Sequence, residues 1–295
     1  MWFRMIIYAA ILLFLIVGMC VCCNRALCCE YYKIRQNNIP RAFDNACIVM
    51  ISDLHERTFG KHNVTLVEKI SLAHPDYIVI AGDLLVKGER FICENSVSLL
   101  KQLVRLAPVY FAPGNHEDYM KNHCEKEYLH FLHTLEELGV VYLDNASVIL
   151  ERGEDKLRIT GLSLPKRYFA KFWDKQQLPT QELEDLIGKK TSCYQILIAH
   201  HPDYFSAYAS WGADLVFSGH VHGGVVILPF IGGVISTSFQ LFPKYDFGLF
   251  EEGETKMVLS RGLGVHTIPL RIGNVPEISV IRLERKRLAK TEECE

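Results

Sequence analysis

Short apolar runs, each followed at once by polar residues, recur along the chain and predict buried strands. The runs are rich in β-branched and aromatic side chains and cover residues 46–51, 77–81, 109–112, 195–199 and 215–217. Helix-like stretches lie between or after the first three runs, at residues 62–73, 91–106 and 125–138. This alternation of strand and helix is typical of parallel sheets. Further strand-like runs at residues 157–161, 256–260 and 277–282 extend the pattern, so we expect a two-sheet α/β sandwich.

An uncharged apolar stretch from Met5 to Asn24 precedes these runs and lies between Arg4 and Arg25. As a helix with a rise of about 1.5 Å per residue, it reaches about 30 Å, the thickness of a bilayer core. It is longer than the apolar part of a cleaved signal peptide, which spans roughly 7 to 15 residues. We therefore predict an uncleaved, single-pass transmembrane anchor over residues 1–24.

Positive charge is concentrated on the flank that follows this stretch. Only Arg4 and the amino terminus precede it, whereas the following flank carries Arg25, Lys33, Arg35 and Arg41. Because basic flanks tend to stay on the cytoplasmic side of a membrane, we expect the rest of the chain to face the cytoplasm.

The remaining sequence divides into three segments. Residues 25–45 are polar, mixed in charge and interrupted by Pro40, which predicts a linker or a docking strand. One globular domain is expected over residues 46–284. The short charged segment 285–295 is expected to be a frayed tail.

The overall composition supports a large folded core and argues against nucleic acid as a partner. The chain has 295 residues, of which 49% are hydrophobic and 22% are charged. Its 32 Lys+Arg and 34 Asp+Glu give a formal net charge of -2, so a strongly basic surface is not expected. The ten cysteines lack the spacing of a disulfide framework. We expect them to be reduced, and those near the apolar stretch suit either packing or acylation.

The polar residues after the strand-like runs form five short motifs. They are Asp53-x-His55, Gly82-Asp83, Gly114-Asn115-His116-Glu117, His200 and Gly219-His220-x-His222. In open α/β sheets ligands bind outside the carboxyl ends of the strands, which is where all five motifs fall. Each motif is a weak signal alone, but together they bring carboxylates, an amide oxygen and imidazoles to one rim. The pattern predicts a metal site.

The donor types and their number indicate which metals fit this site. Oxygen and nitrogen donors without a thiolate suit Mn, Fe, Zn or Co. Seven donors are too many for one tetrahedral ion, and a carboxylate such as Asp83 can bridge two ions about 3.5 to 4 Å apart. We therefore expect two divalent ions. His200 is preferred over its neighbour His201 as a ligand because it directly follows the apolar run, and His201 remains the alternative.

With these five motifs the sequence resembles the calcineurin-like metallophosphoesterase superfamily, over about residues 46 to 284. Within it, the Gly-His-x-His-Gly-Gly ending is similar to a membrane-associated bacterial branch. Residues 245–248, 260–264 and 276–278 agree with that branch, and Glu117 stands where many members have Asp. The resemblance implies the four-layer α-β-β-α sandwich of the family.

The resemblance also implies roles for individual residues. One metal would be held by Asp53, His55, Asp83 and His222, and the other by Asp83, Asn115, His200 and His220. Asp83 would bridge the two ions. His116 would be the catalytic histidine at the leaving group, and Glu117 would orient it.

Members of this superfamily hydrolyse phosphodiester, pyrophosphate or phosphomonoester bonds with a hydroxide generated between two metals. The apolar stretch at the amino terminus and the apolar segment 223–250 favour a lipid-linked substrate, and some anchored relatives cleave the pyrophosphate of UDP-2,3-diacylglucosamine. The alternative is a broad phosphodiesterase acting on nucleotides or glycerophosphodiesters. A metal-binding scaffold without activity is a further alternative.

Three other features have two interpretations each. Segment 223–250 suits core strands or an acyl-chain site, with core packing preferred. Arg57 and Lys87 follow the first two motifs and suit either solvated charges, which we prefer, or contacts to a substrate phosphate.

Overall fold

The computed structural model describes residues 2–170, 176–228, 230–235, 241–265 and 270–286. The helices are α1 Trp2–Arg25, α2 Val64–Leu72, α3 Glu94–Leu103, α4 Asn115–His123, α5 Glu125–Glu137, α6 Thr180–Ile187 and α7 Phe205–Trp211. The first seven strands are β1 Cys28–Gln36, β2 Cys47–Ile51, β3 Tyr77–Ala81, β4 Val109–Ala112, β5 Val141–Tyr142, β6 Ala146–Arg152 and β7 Asp155–Leu162. The others are β8 Tyr194–Ala199, β9 Leu215–Ser218, β10 Val226–Leu228, β11 Gly232–Ile235, β12 Gly248–Glu252, β13 Thr255–Leu259 and β14 Glu277–Arg285.

Two six-stranded sheets form the centre of the molecule. The first has the order β1-β14-β2-β3-β4-β5 and the second the order β12-β13-β9-β8-β7-β6. The strands β2 to β5 run parallel to one another, and so do β7, β8, β9 and β13. The prediction of an α/β fold with two sheets is therefore confirmed, and the five strand-like runs lie in the parallel parts of these sheets.

Side-chain alternation along the strands builds the layers. In β2, Val49 and Ile51 pack towards α2, α3 and α5, whereas Ile48 and Met50 pack towards the second sheet. A strand places successive side chains on opposite faces, so a run that is apolar at every position is buried on both sides. The second sheet behaves in the same way, with Ile196 facing the first sheet. Its outer face packs against α6 and α7, which gives four layers.

The segment predicted to be a linker or a docking strand contains β1. This strand pairs in parallel with β14 over its whole length, from Cys28 opposite Glu277 to Gln36 opposite Arg285. The first sheet thus begins upstream of the predicted domain boundary at residue 46. Most of the predicted charged tail, residues 287–295, lies outside the described residues.

The amino-terminal apolar stretch is helical, since α1 spans Trp2–Arg25. In the part of the chain that the structure describes, no helix has the length and apolar character needed to cross a membrane. The predicted transmembrane helix is thus not found there.

The apolar segment 223–250 contains a small separate hairpin of β10 and β11, which pair antiparallel. Ile227 is buried, but Leu228, Phe230, Ile231, Leu241 and Phe242 are exposed. Core packing therefore accounts for only part of this segment. Residues 229 and 236–240 within it lie outside the described residues.

Candidate metal centre

The carboxyl ends of the central strands bring the five motifs together. β2 ends two residues before Asp53, β3 ends two residues before Asp83, and α4 begins at Asn115 after β4. In the second sheet β8 ends directly before His200, and β9 ends two residues before His220. Parallel strands end on the same edge of a sheet, so each sheet contributes its ligands to one rim.

Asp53, His55 and His222 form the first group. Their nearest potential ligand atoms lie within 4.8 Å of one another, and all three side chains are buried. Nε2 of His222 lies 3.3 Å from Oδ1 of Asp53 and 3.2 Å from Nε2 of His55. Two imidazole nitrogens and a carboxylate oxygen thus point to a common position.

Asp83, His200 and His220 form the second group by the same distance criterion. Nε2 of His200 lies 3.1 Å from Oδ2 of Asp83. Asn115 follows Gly114 on the neighbouring loop, and its Oδ1 atom is buried without a hydrogen-bond partner among the described residues. Because buried polar atoms are nearly always bonded, this oxygen indicates a missing partner such as a cation.

His116 lies beside both groups. Together with His55 and Asp83 it forms a third set of atoms within the same distance, and its Nε2 lies 3.8 Å from Oδ2 of Asp83. Nδ1 of His116 lies 3.1 Å from the backbone N–H of Lys87, which can only donate. The neutral ring therefore carries its proton on Nε2, the atom that faces Asp83.

In two histidines of the groups, backbone carbonyls fix the tautomer opposite to that of His116, with the proton on Nδ1. Nδ1 of His200 donates to the carbonyl of Ala81 at 2.7 Å, and Nδ1 of His55 donates to that of Leu85 at 3.2 Å. Since a carbonyl only accepts, each ring in its neutral form has its lone pair on Nε2, which faces the centre. Such outer bonds are typical of metal-ligating histidines.

Burial and close opposite charges shift the pKa values of these groups. Burial alone raises the pKa of Asp83, but His200 and His116 outweigh it and hold the pKa well below its usual range. Burial lowers the pKa of His200, yet Asp83 and Asp53 raise it to about 10. Burial, together with His201 and His200, lowers the pKa of His220. The pocket therefore concentrates negative charge among imidazoles, as a cation site requires.

The ligand backbone is held in a conformation that non-glycine residues rarely adopt. Asp53, His55, Asp83, His220 and His222 all have φ between 49° and 72°. Non-glycine residues with such φ values cluster at functional sites, where the surrounding structure holds them in this conformation.

Two glycines in the motifs leave room for the carboxylates. A Cβ atom at Gly114 would lie 2.2 Å from Oδ1 of Asp83, and one at Gly219 would lie 2.4 Å from Oδ2 of Asp53. Any larger residue would collide with the ligand.

The carboxylate of Glu117, the residue predicted to orient His116, contacts the backbone of the loops after β3 and β4. Its carboxylate accepts hydrogen bonds from the backbone N–H groups of Asp83 at 2.7 Å, Leu85 at 2.9 Å and Gly114 at 2.8 Å. Burial and Asp83 raise the pKa of Glu117 to about 7, against the effect of these bonds. Glu117 therefore fixes the loops after β3 and β4 relative to each other.

His200, rather than His201, belongs to the second group. The His201 ring contacts Phe169, Tyr204 and His220, with its centroid 4.4 Å from that of His220. His201 thus packs behind His220, a member of the second group. Because a one-residue shift reverses the side-chain direction at a strand end, the sequence alone left both histidines open.

The two basic residues after the first motifs have distinct positions. The Arg57 guanidinium donates to the carbonyls of Leu263 and Asn24 and lies over the Phe59 ring, so it braces loops. Lys87 is exposed, and its backbone N–H contacts Nδ1 of His116. Only Lys87 therefore remains a candidate for contact with substrate.

Three residues near the centre were not found by sequence reasoning. Phe169 packs on His220 of the second group, with 5.4 Å between ring centroids, and Arg271 and Asn274 are buried next to the first group. None lies in a strand-end motif. The sequence signal for Arg271 and Asn274 was weak. They are a cation and an amide that precede the apolar run of β14, and no repeating pattern marks them.

The arrangement suits a divalent metal. Its donors are oxygen and nitrogen atoms, its imidazole lone pairs converge, and the buried Asn115 oxygen lacks a partner among the described residues. A cation would also neutralise two buried carboxylates that lie close together. These residues are therefore suited to binding a divalent metal ion.

Comparison with known proteins agrees with this chemistry. Residues 48–224, more than half of the chain, match the model of the calcineurin-like phosphoesterase family. The chain is 26% identical over 258 residues to the metallophosphoesterase YkuE of Bacillus subtilis, covering 86% of this chain and 84% of that protein. It is 24% identical over 266 residues to the phosphodiesterase YaeI of Escherichia coli, covering 86% and 90%.

A mammalian relative extends this comparison. The chain is 26% identical over 263 residues to a bovine transmembrane protein with a metallophosphoesterase domain, covering 85% of this chain and 56% of that protein. The matched region of the family model begins at β2 and ends just after His222, so it contains every strand-end motif. A metal-dependent hydrolase site and this match lead to one conclusion: the chain belongs to the calcineurin-like phosphoesterases and is a metallophosphoesterase.

Proposed function

We propose that this enzyme hydrolyses phosphodiester, pyrophosphate or phosphomonoester bonds with two divalent ions. The observation that supports two ions is the contact between the two ligand groups through Asp83. Its carboxylate belongs to the second group and also lies in the set with His55 and His116, next to the first group. When bound, two such ions bind phosphoryl oxygens and lower the pKa of water, which supplies a nucleophile near neutral pH.

The residues of the chain then divide the remaining work. Asp53, His55, Asp83 and His222 would hold one ion, and Asp83, Asn115, His200 and His220 the other. His116 carries a proton on Nε2 at the edge of the centre and would donate it to the leaving oxygen. Glu117 holds the loops of Asp83 and Asn115 in a fixed position relative to each other through its three hydrogen bonds to backbone N–H groups.

We further propose that the substrate is lipid-linked, with UDP-2,3-diacylglucosamine as the leading candidate. The support is an exposed apolar hairpin close to the centre. β10 begins four residues after His222, and Leu228 at its end and Phe230 and Ile231 beyond it are all exposed. Exposed apolar clusters of this kind favour lipid or protein contacts over water.

The carboxyl end of α1 also lies near the centre. Arg57 donates to the carbonyl of Asn24, in the last turn of α1, and to that of Leu263. The neighbouring Gly264 donates to the carbonyl of Asp53 at 2.5 Å. A surface attached to α1 would therefore lie close to the ligand Asp53.

Membrane attachment through α1 is part of this proposal, with the catalytic domain on the cytoplasmic side. Large apolar side chains of α1 are exposed, among them Trp2, Phe3, Tyr8 and Phe14. Water does not favour such a surface, which is suited to a lipid phase. The basic flank after α1 supports the orientation. Resistance of the protein to release from membranes by high salt or alkaline carbonate would test the attachment.

Turnover by the full-length chain in detergent tests the activity. Bis-p-nitrophenyl phosphate, p-nitrophenyl phosphate and UDP-2,3-diacylglucosamine would be compared with Mn, Zn, Co or Mg, with Asp83→Asn as the inactive control. We expect metal-dependent hydrolysis that the variant loses. Folded, metal-loaded protein that hydrolyses none of the three would favour a binding scaffold instead.

A second candidate is a broad phosphodiesterase that acts on nucleotides or glycerophosphodiesters. The relative YaeI, named as a phosphodiesterase and covered over 90% of its length, favours it. Faster hydrolysis of small soluble diesters than of the lipid substrate would select this alternative.

A further inference from the structure

A buried arginine and a buried asparagine lie beneath the first ligand group, in a part of the chain beyond the family match. Arg271 is 2% exposed and Asn274 is fully buried. The recorded hydrogen bonds of the Arg271 guanidinium go to three backbone carbonyls and to the Asn274 side chain, rather than to a carboxylate. Among the described residues its bonded partners are thus neutral, and a buried cation bonded in this way is costly, so the arrangement calls for an explanation.

Asn274 holds the loop that carries His222. Its Nδ2 atom donates to the carbonyl of His222 at 2.6 Å and to the carbonyl of Gly224 at 2.6 Å. These two bonds fix both sides of the turn in which His222 has φ of 52°. The side chain thus binds the backbone of a ligand directly.

Arg271 holds the loop that packs against Asp53. One guanidinium nitrogen donates to the carbonyls of Arg261 at 2.9 Å, Gly262 at 3.2 Å and Gly264 at 2.5 Å. A Cβ atom at Gly262 would lie 2.8 Å from Cβ of Asp53, so this loop is in close contact with the ligand.

The two side chains form one unit. The other terminal nitrogen of Arg271 donates to Oδ1 of Asn274 at 3.0 Å, which orients the amide so that its Nδ2 faces the His222 loop. The planar guanidinium presents donors in fixed directions, so one side chain can bind two loops. The unit therefore connects Asp53 and His222, which come from different ends of the motif series.

We propose that Arg271 and Asn274 are positioning residues that hold Asp53 and His222 in the geometry needed for one of the metal ions. This inference rests on the proposed two-metal function and adds to it a device outside the family motifs. Residues that orient metal ligands affect metal affinity by about 10- to 100-fold. The unit acts through the backbone of the ligands rather than by touching the metal or the substrate.

Binding of Mn²⁺ alone to the full-length protein in detergent tests the inference, by titration with detection of free Mn²⁺. We expect Asn274→Ala to weaken one class of sites by about 10- to 100-fold and to leave the other class near its original affinity. Asn274→Ser keeps a single donor, so its affinity is expected to lie between those of Asn274→Ala and the unchanged protein.

Gln36 offers a matched control. It is buried, and its amide donates to two backbone carbonyls, those of Asp214 at 3.0 Å and Glu254 at 2.7 Å, away from the ligand loops. Gln36→Ala should lower thermal stability and leave Mn²⁺ affinity unchanged. Equal loss of affinity in Gln36→Ala and Asn274→Ala would overturn the inference, because a general loss of stability would then explain both.

The outcomes separate this inference from the proposed function. If the unchanged protein binds none of Mn²⁺, Zn²⁺ and Co²⁺, the two-metal function itself is wrong. If the unchanged protein binds Mn²⁺ and both Asn274 variants bind it equally well, only the positioning role is wrong. Circular dichroism on each variant shows whether it is folded, and Asn274→Ser keeps the test usable if Asn274→Ala is not.

Discussion

Nε2 of His200 lies 3.1 Å from Oδ2 of Asp83, and this contact joins the two central sheets. Asp83 follows β3 of the first sheet, whereas His200 follows β8 of the second. The opposite ring nitrogen of His200 donates to the carbonyl of Ala81, the last residue of β3. One side chain of the second sheet is therefore bonded to the end of a strand in the first, and the ligand set depends on the packing between the sheets.

The central position of Asp83 leads to the first prediction. Asp83→Asn removes the negative charge that the second group and His116 share, so we expect Mn²⁺ affinity and turnover of bis-p-nitrophenyl phosphate to fall by more than about 100-fold. This exceeds the effect of about 10- to 100-fold that is typical of residues outside the ligand set. Titration with Mn²⁺ and steady-state kinetics measure the two effects.

Asp76→Asn is the matched control for this change. Asp76 accepts hydrogen bonds from the backbone of Cys47 and from Arg152, at the opposite ends of the strands. Its replacement should leave Mn²⁺ affinity and turnover close to those of the unchanged protein. Retention of metal-dependent activity by Asp83→Asn would show that Asp83 is not a metal ligand.

The proton on Nε2 of His116 leads to the second prediction. His116→Gln should leave Mn²⁺ affinity nearly unchanged and lower kcat by about 100- to 10,000-fold for a substrate with an alkoxide leaving group. The loss should be much smaller for bis-p-nitrophenyl phosphate, because p-nitrophenolate leaves without protonation. Comparison of kcat for the two classes of substrate measures this difference.

His123→Gln provides the comparison for that experiment. His123 stacks on Tyr119 at the end of α4, with 3.9 Å between the ring centroids. We expect its replacement to change neither kcat nor its dependence on the leaving group. An equal loss in His116→Gln for good and poor leaving groups would exclude proton donation by His116.

Sequence patterns were sufficient to predict the strands and to place the motif residues at one rim, because both depend on local rules. Runs that are apolar at every position gave β2, β3, β4, β8 and β9, and the polar residues at their ends lie where parallel strands place ligands. β1 was ambiguous because an edge strand is half exposed and its polar residues suit a linker equally well. Its partner β14 is separated from it by most of the chain, and no local sequence pattern indicates a pairing over such a distance.

The contacts of the residues that support the site could not be predicted from the sequence, for a different reason. Glu117 was expected to orient His116, and nothing in the sequence indicated that its carboxylate accepts three backbone N–H bonds, including that of Leu85. Likewise, Asn274 contacts the His222 loop although β10 to β13 lie between them in the chain. Contacts of this kind are set by the packing of loops on sheets, so they cannot be inferred from spacing.

The bonds of Glu117 lead to the third prediction, which concerns stability. In Glu117→Gln the amide nitrogen cannot accept, so at least one buried N–H among those of Asp83, Leu85 and Gly114 loses its partner. We expect the free energy of unfolding to fall by about 1 to 3 kcal/mol. Urea denaturation in the presence of a chelator measures this value without a contribution from bound metal.

Glu284→Gln serves as the control for the stability measurement. Glu284 pairs with Lys33 and Arg35 on the surface of the first sheet, where water and salt screen the interaction. Its replacement should not change the denaturation midpoint measurably. A Glu117→Gln variant as stable as Glu284→Gln would mean that the three backbone bonds do not hold the loops together.

The exposed hairpin leads to the last prediction, which separates a lipid substrate from a soluble one. Phe230 is fully exposed with φ of 66°, a conformation that Asp tolerates, so Phe230→Asp should fold normally. Burying a phenylalanine side chain contributes about 1.5 to 3 kcal/mol, so its loss should lower kcat/KM for UDP-2,3-diacylglucosamine in mixed micelles by roughly tenfold or more. Turnover of bis-p-nitrophenyl phosphate should be unchanged, since that substrate does not enter a lipid phase. Leu129→Asp, at an exposed apolar position on α5, should affect neither substrate. If Phe230→Asp lowers both activities equally, or neither, the hairpin does not contact the lipid and the soluble phosphodiesterase becomes the better interpretation.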